Sequence, residues 1–285
     1  MKKKPIAILS VFVALFITTG IALNPTLEVT NFTFVSEKLP PSFEGYKIAV
    51  IADTQSLDYG SPEPEAEKKL REIKPDLIAL VGDIYDINID TNTKKNGLVF
   101  IENISDIAPC VYVNGNHEAF FSLEEKGFIS AEFARLGVTV LEKGSYQIAR
   151  EGGSIEINGL SDPRERQGEA IDEYIGGMRA QGGGRLQILL FHRADLLDKF
   201  SGSGFDMIIS GHTHGGHIRL PFVGGIMSPD HVTWFPKYSG GHYRLDDGTD
   251  AYVSRGIGNT KDIPRIFNRP EIVVITLKGT PRQGK

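Results

Sequence analysis

The chain has 285 residues, enough for one large α/β domain, with 40% hydrophobic and 24% charged residues, the balance of an ordinary globular protein. Its 31 basic residues against 36 acidic ones give a formal net charge of −5, which grows more negative once Lys2, Lys3 and Lys4 are set aside and does not suit nonspecific binding to nucleic acid or anionic lipid. The single cysteine, Cys110, excludes an intrachain disulfide and a thiolate-based metal centre.

In chain order, the lysine cluster precedes Ile6 to Leu23, an uncharged apolar run. As a helix it spans roughly 27 Å, just enough to cross the hydrocarbon core. The lysines stay on the cytoplasmic side, so the remainder is expected outside the cytoplasm. Gly20-Ile21-Ala22 offers a signal-peptide cleavage site, and the chain is then secreted; the length of the run favours an uncleaved anchor over residues 1–23. Residues 24–45 read as a tether, in which Leu27 to Thr33 alternate like an exposed edge strand and Lys38-Leu39-Pro40-Pro41 closes the segment.

From Tyr46 strands and helices alternate, and the domain is expected over 46–278. Helices are predicted from about Glu63 to Ile73, from about Thr93 to Ser105, and from Ser122 to near Gly137. The Ser122-x-x-Glu125 spacing fits a capping box. Val138–Leu141, Ser145–Ala149 and Ser154–Ile157 cluster as strands of a second sheet, followed by a helix from about Glu169 to Ala180. Strands resume at Leu186, Phe205, His217, Tyr252 and Glu271, and 279–285 read as a tail. The order predicts two sheets packed face to face between helices, an α/β/β/α sandwich. Pro221 to Gly241, rich in Pro and Gly, is a long loop and a candidate for substrate selection.

Five of these apolar runs end in polar residues. Lys47–Ala52 is followed by Asp53-Thr54-Gln55, and Leu77–Val81 by Gly82-Asp83-Ile84-Tyr85-Asp86. Cys110–Val113 leads to Gly115-Asn116-His117-Glu118, Leu186–Phe191 to His192, and Phe205–Ser210 to Gly211-His212-Thr213-His214-Gly215-Gly216-His217. Runs this rich in Val, Ile and Leu read as strands buried on both faces, and ligands bind in the crevice beyond such strand ends. Carboxylates and imidazoles without thiolates suit Mn, Fe, Zn or Co. The donors suffice for two divalent ions sharing one carboxylate, an arrangement that clamps both oxygens of a displacement at phosphorus.

The ordered set Asp53-x-Gln55, Gly82-Asp83-x-x-Asp86, Gly115-Asn116-His117-Glu118, His192 and Gly211-His212-Thr213-His214 resembles the calcineurin-like metallophosphoesterase superfamily, over residues 46 to 278. Gly215 to Pro221 resembles its exported or membrane-anchored bacterial phosphohydrolase branch. The resemblance implies the four-layer sandwich and a dinuclear phosphohydrolase, with phosphodiesters or pyrophosphates of the envelope or of lipid-linked precursors as substrates. It implies that Asp83 bridges both ions, that Asp53 and His214 bind the first, and that Asn116, His192 and His212 bind the second. His117 would act as general acid or transition-state stabiliser, and Asp86 would orient it.

Two positions depart from the resemblance. Gln55 stands where that family has His, and His217 where the branch has Gln; an exchange between them would let His217 supply an imidazole near the first metal. Gln55 also motivates another reading, a catalytically weak metal-binding sensor on the same scaffold; a secreted phosphomonoesterase is the third. His231 and His242 are expected as surface or loop histidines, Asp162 and Arg164 as a turn, and Arg219 as a structural arginine. Trp234 either lines a substrate groove or packs the long loop. The sequence leaves the oligomeric state open.

Overall fold

The computed structural model describes residues 19–55, 62–86, 91–165, 171–182, 184–228, 233–258 and 264–280. The predicted membrane-spanning run lies outside these residues except for its last turn, Thr19–Leu23. Among the described residues no helix is long and apolar enough to cross a membrane. His231 and residues 281–285 also lie outside them.

Two six-stranded sheets carry the fold. The first holds β1 (Glu28–Ser36), β2 (Lys47–Ile51), β3 (Leu77–Val81), β4 (Cys110–Val113), β5 (Thr139–Val140) and β14 (Glu271–Gly279), in the order β1-β14-β2-β3-β4-β5. The second holds β6 (Lys143–Arg150), β7 (Gly153–Leu160), β8 (Leu186–Arg193), β9 (Met207–Gly211), β12 (Gly241–Arg244) and β13 (Asp250–Val253), in the order β12-β13-β9-β8-β7-β6. A small hairpin, β10 (Arg219–Leu220) and β11 (Gly224–Gly225), stands apart. The α-helices of the domain longer than a single turn are α1 (Pro62–Ile73), α2 (Thr91–Ser105), α3 (Leu123–Arg135) and α4 (Ile171–Gly176).

The strands that bear the motifs are parallel to one another within each sheet. Side chains of β3, β4, β8 and β9 are buried along their whole length, which is why they read as unbroken apolar runs. Alternate residues of one strand feed different cores. Ile48, Val50 and Ala79 face Ile155, Ile188 and Ile209 between the sheets. Ala49, Ile51 and Leu80 face Leu70, Ile101 and Phe133 under the first helical layer. Leu189, Phe191 and Ile208 face Tyr174, Leu197 and Phe200 under the second. The layers are therefore α/β/β/α, as expected. Ser122 caps α3 as its spacing predicted: its hydroxyl accepts from Glu125 N at 3.2 Å, and its N–H donates to the Glu125 carboxylate at 2.9 Å.

Two expectations are corrected. Val138–Leu141 does not join the second sheet; β5 pairs in parallel with β4, because α3 is the crossover of a β-α-β unit and returns the chain beside the strand it left. The segment read as a tether packs into the domain: β1 pairs with β14 over nine residues, and Phe34, Leu39 and Phe43 enter the core between the sheets. Its inward aromatic positions follow from the same alternation that marked it as an edge strand.

Candidate metal centre

The strand ends converge. Asp53 follows β2 by two residues, Asp83 follows β3 by two, Asn116 opens a single helical turn just past β4, and His212 follows β9. His192 lies inside β8, where the β8–β9 register slips between Leu190 and Arg193; such a bulge re-aims one side chain. Close approach of these loops needs glycine. A Cβ on Gly115 would fall 2.4 Å from Asp83 N, and one on Gly82 2.7 Å from Gly115 Cα. Ten described residues other than glycine have positive φ, and six of them are Asp53, Gln55, Asp83, His212, His214 and His217. Each such residue costs roughly 1–3 kcal/mol, a strain that collects at functional sites.

Asp83, Asp53, His192, His212 and His214 are all buried. Among the described residues, Asp83, His192 and His212 are the group of three whose ligand atoms lie within 4.8 Å of one another. Asp83 Oδ2 is 3.2 Å from His192 Nε2 and 3.7 Å from His117 Nε2. Asp53 Oδ1 is 3.3 Å from His214 Nε2 and 3.9 Å from His192 Nε2, and its carboxylate accepts from His212 N at 3.1 Å. Asn116 Oδ1 is buried without a hydrogen-bond partner.

This donor set fits a cation. His192 Nδ1 is 2.7 Å from the Val81 carbonyl, which only accepts, so Nδ1 carries the proton. The Nε2 lone pair then faces the Asp83 carboxylate, acceptor against acceptor, and only a cation or a second proton reconciles them. Burial alone would lower the His192 pKa, but Asp83 and then Asp53 push it up to about 10. Burial would likewise raise Asp83, yet His192 and His117 hold it well below the usual carboxylate range. Burial lowers His212 to about 3, with His192 acting in the same direction, and burial with the Arg265 charge lowers His214. Both are neutral imidazoles, the form that ligates metal.

The remaining predicted site residues fall as follows. His117 sits between two carboxylates, its Nδ1 3.7 Å from Asp86 Oδ1, which is ion-pair range and longer than a hydrogen bond. Gln55 Nε2 is 3.1 Å from His214 Nε2, while its Oε1 is buried without a hydrogen-bond partner. His217 is buried, and its ring stacks on that of His214 at 5.8 Å. His242 is a surface histidine paired with Asp250. Asp162 forms a turn by accepting from Arg164 N. Arg219 is structural, donating to the Gly215 and Ser239 carbonyls. Trp234 does not pack the loop; it is 65% exposed.

Several residues that shape the centre were not singled out from the sequence. Glu118 accepts at 2.9 Å from the backbone N–H of Asp83, Tyr85 and Gly115, pinning two motif loops together. Glu118→Ala leaves three buried donors unpaired, each costing about 1–3 kcal/mol, so urea titration is expected to show a loss of at least ~3 kcal/mol. A variant within 1 kcal/mol of wild type would mean that the loops stand without this carboxylate. Asn268 donates to the carbonyls of His214 and His217, and Arg265 Nη2 lies 3.4 Å from His214 Nδ1. Gly256 and Gly258 pack on Asp53. The signal was a sixth strand end: Ser254-Arg255-Gly256-Ile257-Gly258 follows β13 as the glycine-bearing motifs follow the others.

The family profile of the calcineurin-like phosphoesterases matches residues 46–216. The uncharacterised metallophosphoesterase YkuE of Bacillus subtilis is 32% identical over 89% of this chain and 86% of its own length. The phosphodiesterase YaeI of Escherichia coli is 26% identical over 72% of each chain. A dimetal phosphatase from Danio rerio shares the fold at a TM-score of 0.50 and 11% identity, over 82% of this chain and 93% of that one.

Proposed function

Because the chain belongs to the calcineurin-like phosphoesterase family, we propose that it is a two-metal phosphohydrolase that cleaves phosphodiesters or pyrophosphates at the outer side of the cytoplasmic membrane. The observation that carries the reading is the buried Asp83 carboxylate set between His192, His212 and His117, with Asp53 and His214 beside it. Asp83 would bridge two divalent ions, Mn, Fe, Zn or Co. Asp53 and His214 would hold the first, with Gln55 through its amide oxygen or His217 completing it; Asn116, His192 and His212 would hold the second. When bound, such ions polarise a phosphoryl oxygen and make a nucleophile available near neutral pH. The chain's own residues do the rest. His117 would protonate the leaving group, and Asp86, 3.7 Å from its Nδ1, would orient that imidazole.

The name of the Escherichia coli relative supports the diester preference, and the apolar run Ile6–Leu23 supports an envelope or lipid-linked substrate. The test is hydrolysis of bis-p-nitrophenyl phosphate against p-nitrophenyl phosphate by the full chain, stripped and reloaded with Mn²⁺. Faster cleavage of the diester, abolished by chelation, is the expected result. Faster cleavage of the monoester would replace the diester reading with the phosphomonoesterase one. A folded chain inert with all four metals would overturn the enzyme reading in favour of a metal-binding sensor, to which the replacement of imidazole by Gln55 points.

A further inference from the structure

We propose that the β10–β11 hairpin, with the aromatic residues clipped to it, is a membrane-interface surface that seats the domain, on the His214–His217 side of the metal centre, against a lipid bilayer. The inference rests on the membrane-anchored reading of Ile6–Leu23 and not on the chemistry of the centre.

The hairpin is rigidly tied to the site. Gly216 and Gly225 are in backbone contact: a Cβ on Gly216 would fall 2.5 Å from Gly225 Cα. Ile226 N donates to Ile218 O at 2.8 Å, and Arg219 Nη1 donates to Gly215 O at 3.0 Å. The tip nevertheless turns apolar side chains to the outside. Leu220 and Val223 are exposed, and Phe222 is exposed in full. Trp234 and Phe235 are exposed beside it, held by the Met227–Trp234 bridge and by Phe235 N donating to Ile226 O at 2.8 Å. Phe267 joins them through the Ile218–Ile266 bridge. Exposed apolar patches of this kind mark interaction surfaces.

The backbone adds a second observation. Of the ten described residues other than glycine with positive φ, three are Phe222 (67°), Phe235 (54°) and Phe267 (50°). Bulky residues rarely adopt that region. Phe222 is fully exposed in that conformation, Phe235 61% and Phe267 38%, so the rings leave much of their surface outside the protein.

The end of the apolar run identifies the occupant. Phe267 N donates to Ala22 O at 2.7 Å, and Arg269 Nε to Thr26 O at 2.9 Å. Ile21 and Leu23, at the described end of the run Ile6–Leu23, are therefore exposed at the same edge as the aromatic patch. A segment long enough to enter the hydrocarbon leaves the domain at that edge. Trp and Phe beside aliphatic residues suit the headgroup level of a bilayer. Residues 219–228 and 233–237 contain no carboxylate; Asp230 lies between them in the sequence, and the nearby Asp198 carboxylate is paired with Lys237 at 2.8 Å. Because binding rests on apolar area, zwitterionic lipid suffices, and the acidic charge of the chain does not oppose it.

Trp234 is the only tryptophan, so its fluorescence reports on this patch alone. The full chain is reconstituted into phosphatidylcholine vesicles, with or without bromine on the acyl chains, and vesicle flotation is measured in parallel. A side chain seated roughly 5–10 Å into the interface is within reach of the bromines. The expected result is strong quenching of Trp234 by brominated lipid and protection from aqueous acrylamide. Phe222→Asp and, separately, Val223→Glu should reverse both effects and leave Mn²⁺ binding unchanged. Flotation without quenching would overturn the surface contact while leaving the anchor intact. No flotation and no quenching would overturn both. Protection from acrylamide without bromine quenching would mean that a second copy of the chain covers the patch, which also overturns the proposal.

Discussion

Asp83→Asn is expected to abolish metal-dependent phosphoester hydrolysis, with a loss on the order of 10⁴-fold or more, since the reactivity the ions supply is worth several factors of ten. The isosteric amide makes the comparison clean. Asp83 Oδ1 accepts from His117 N at 2.9 Å, a bond that an amide oxygen preserves, so the loop after β4 keeps its anchor. What goes is the charge facing His192 and His117, the one group placed to serve both proposed ions. Stability should separate the two effects. Without metal, wild type buries Asp53, Asp83 and Glu118 together, and burial with mutual repulsion raises Asp53 to about 6 and Glu118 to about 7. Asp83 differs from these two: His192 and His117 hold its carboxyl below the usual range, so its charge stabilises the apo fold at neutral pH and removing it should lower apo stability. With Mn²⁺ at a hundred times its dissociation constant, wild type gains about 2.7 kcal/mol and the variant gains nothing. Thermal unfolding with and without Mn²⁺, alongside elemental analysis, reads this directly. An Asp83→Asn protein with the wild-type shift would place the ion elsewhere.

Glu118 is a case where chemistry was visible in the sequence and its use was not. It stands in the same tetrapeptide as Asn116 and His117, yet its carboxylate is taken up by three buried N–H groups of the loops after β3 and β4. No spacing rule distinguishes a carboxylate that receives backbone donors from one that receives a metal. The strand ends themselves were legible because β3, β4, β8 and β9 are buried on both faces and so lack the alternation of a half-exposed strand. The place of β5 was less so. Two residues carry little periodicity, and the crossover through α3, not side-chain pattern, sends it to the first sheet. Arg265 and Asn268 reach His214 from more than fifty residues away in sequence, a contact set by the pairing of β13 with β9. The left-handed conformations of Asp53, Asp83 and His212 were equally hidden, since none of these residue types announces positive φ as glycine does.

His117→Ala is expected to lower kcat by about 10² to 10⁴, the usual worth of a positioned proton donor, while metal content stays at the wild-type level. The geometry separates this histidine from the other three. The side chains of His192, His212 and His214 are 0%, 5% and 2% exposed, whereas that of His117 is 15% exposed. Its backbone N–H is fixed by Asp83 Oδ1, so the residue is held at the centre without its ring being enclosed there. Its ring lies between two carboxylates, with one nitrogen 3.7 Å from Asp83 Oδ2 and the other 3.7 Å from Asp86 Oδ1. A donor of this kind matters in proportion to the basicity of the leaving oxygen. The deficit should therefore be small for a p-nitrophenyl ester, whose leaving group departs unaided, and large for an alkyl ester. Equal losses on both esters with reduced metal content would instead make His117 a ligand, and would move the proton donor to another residue of the cleft.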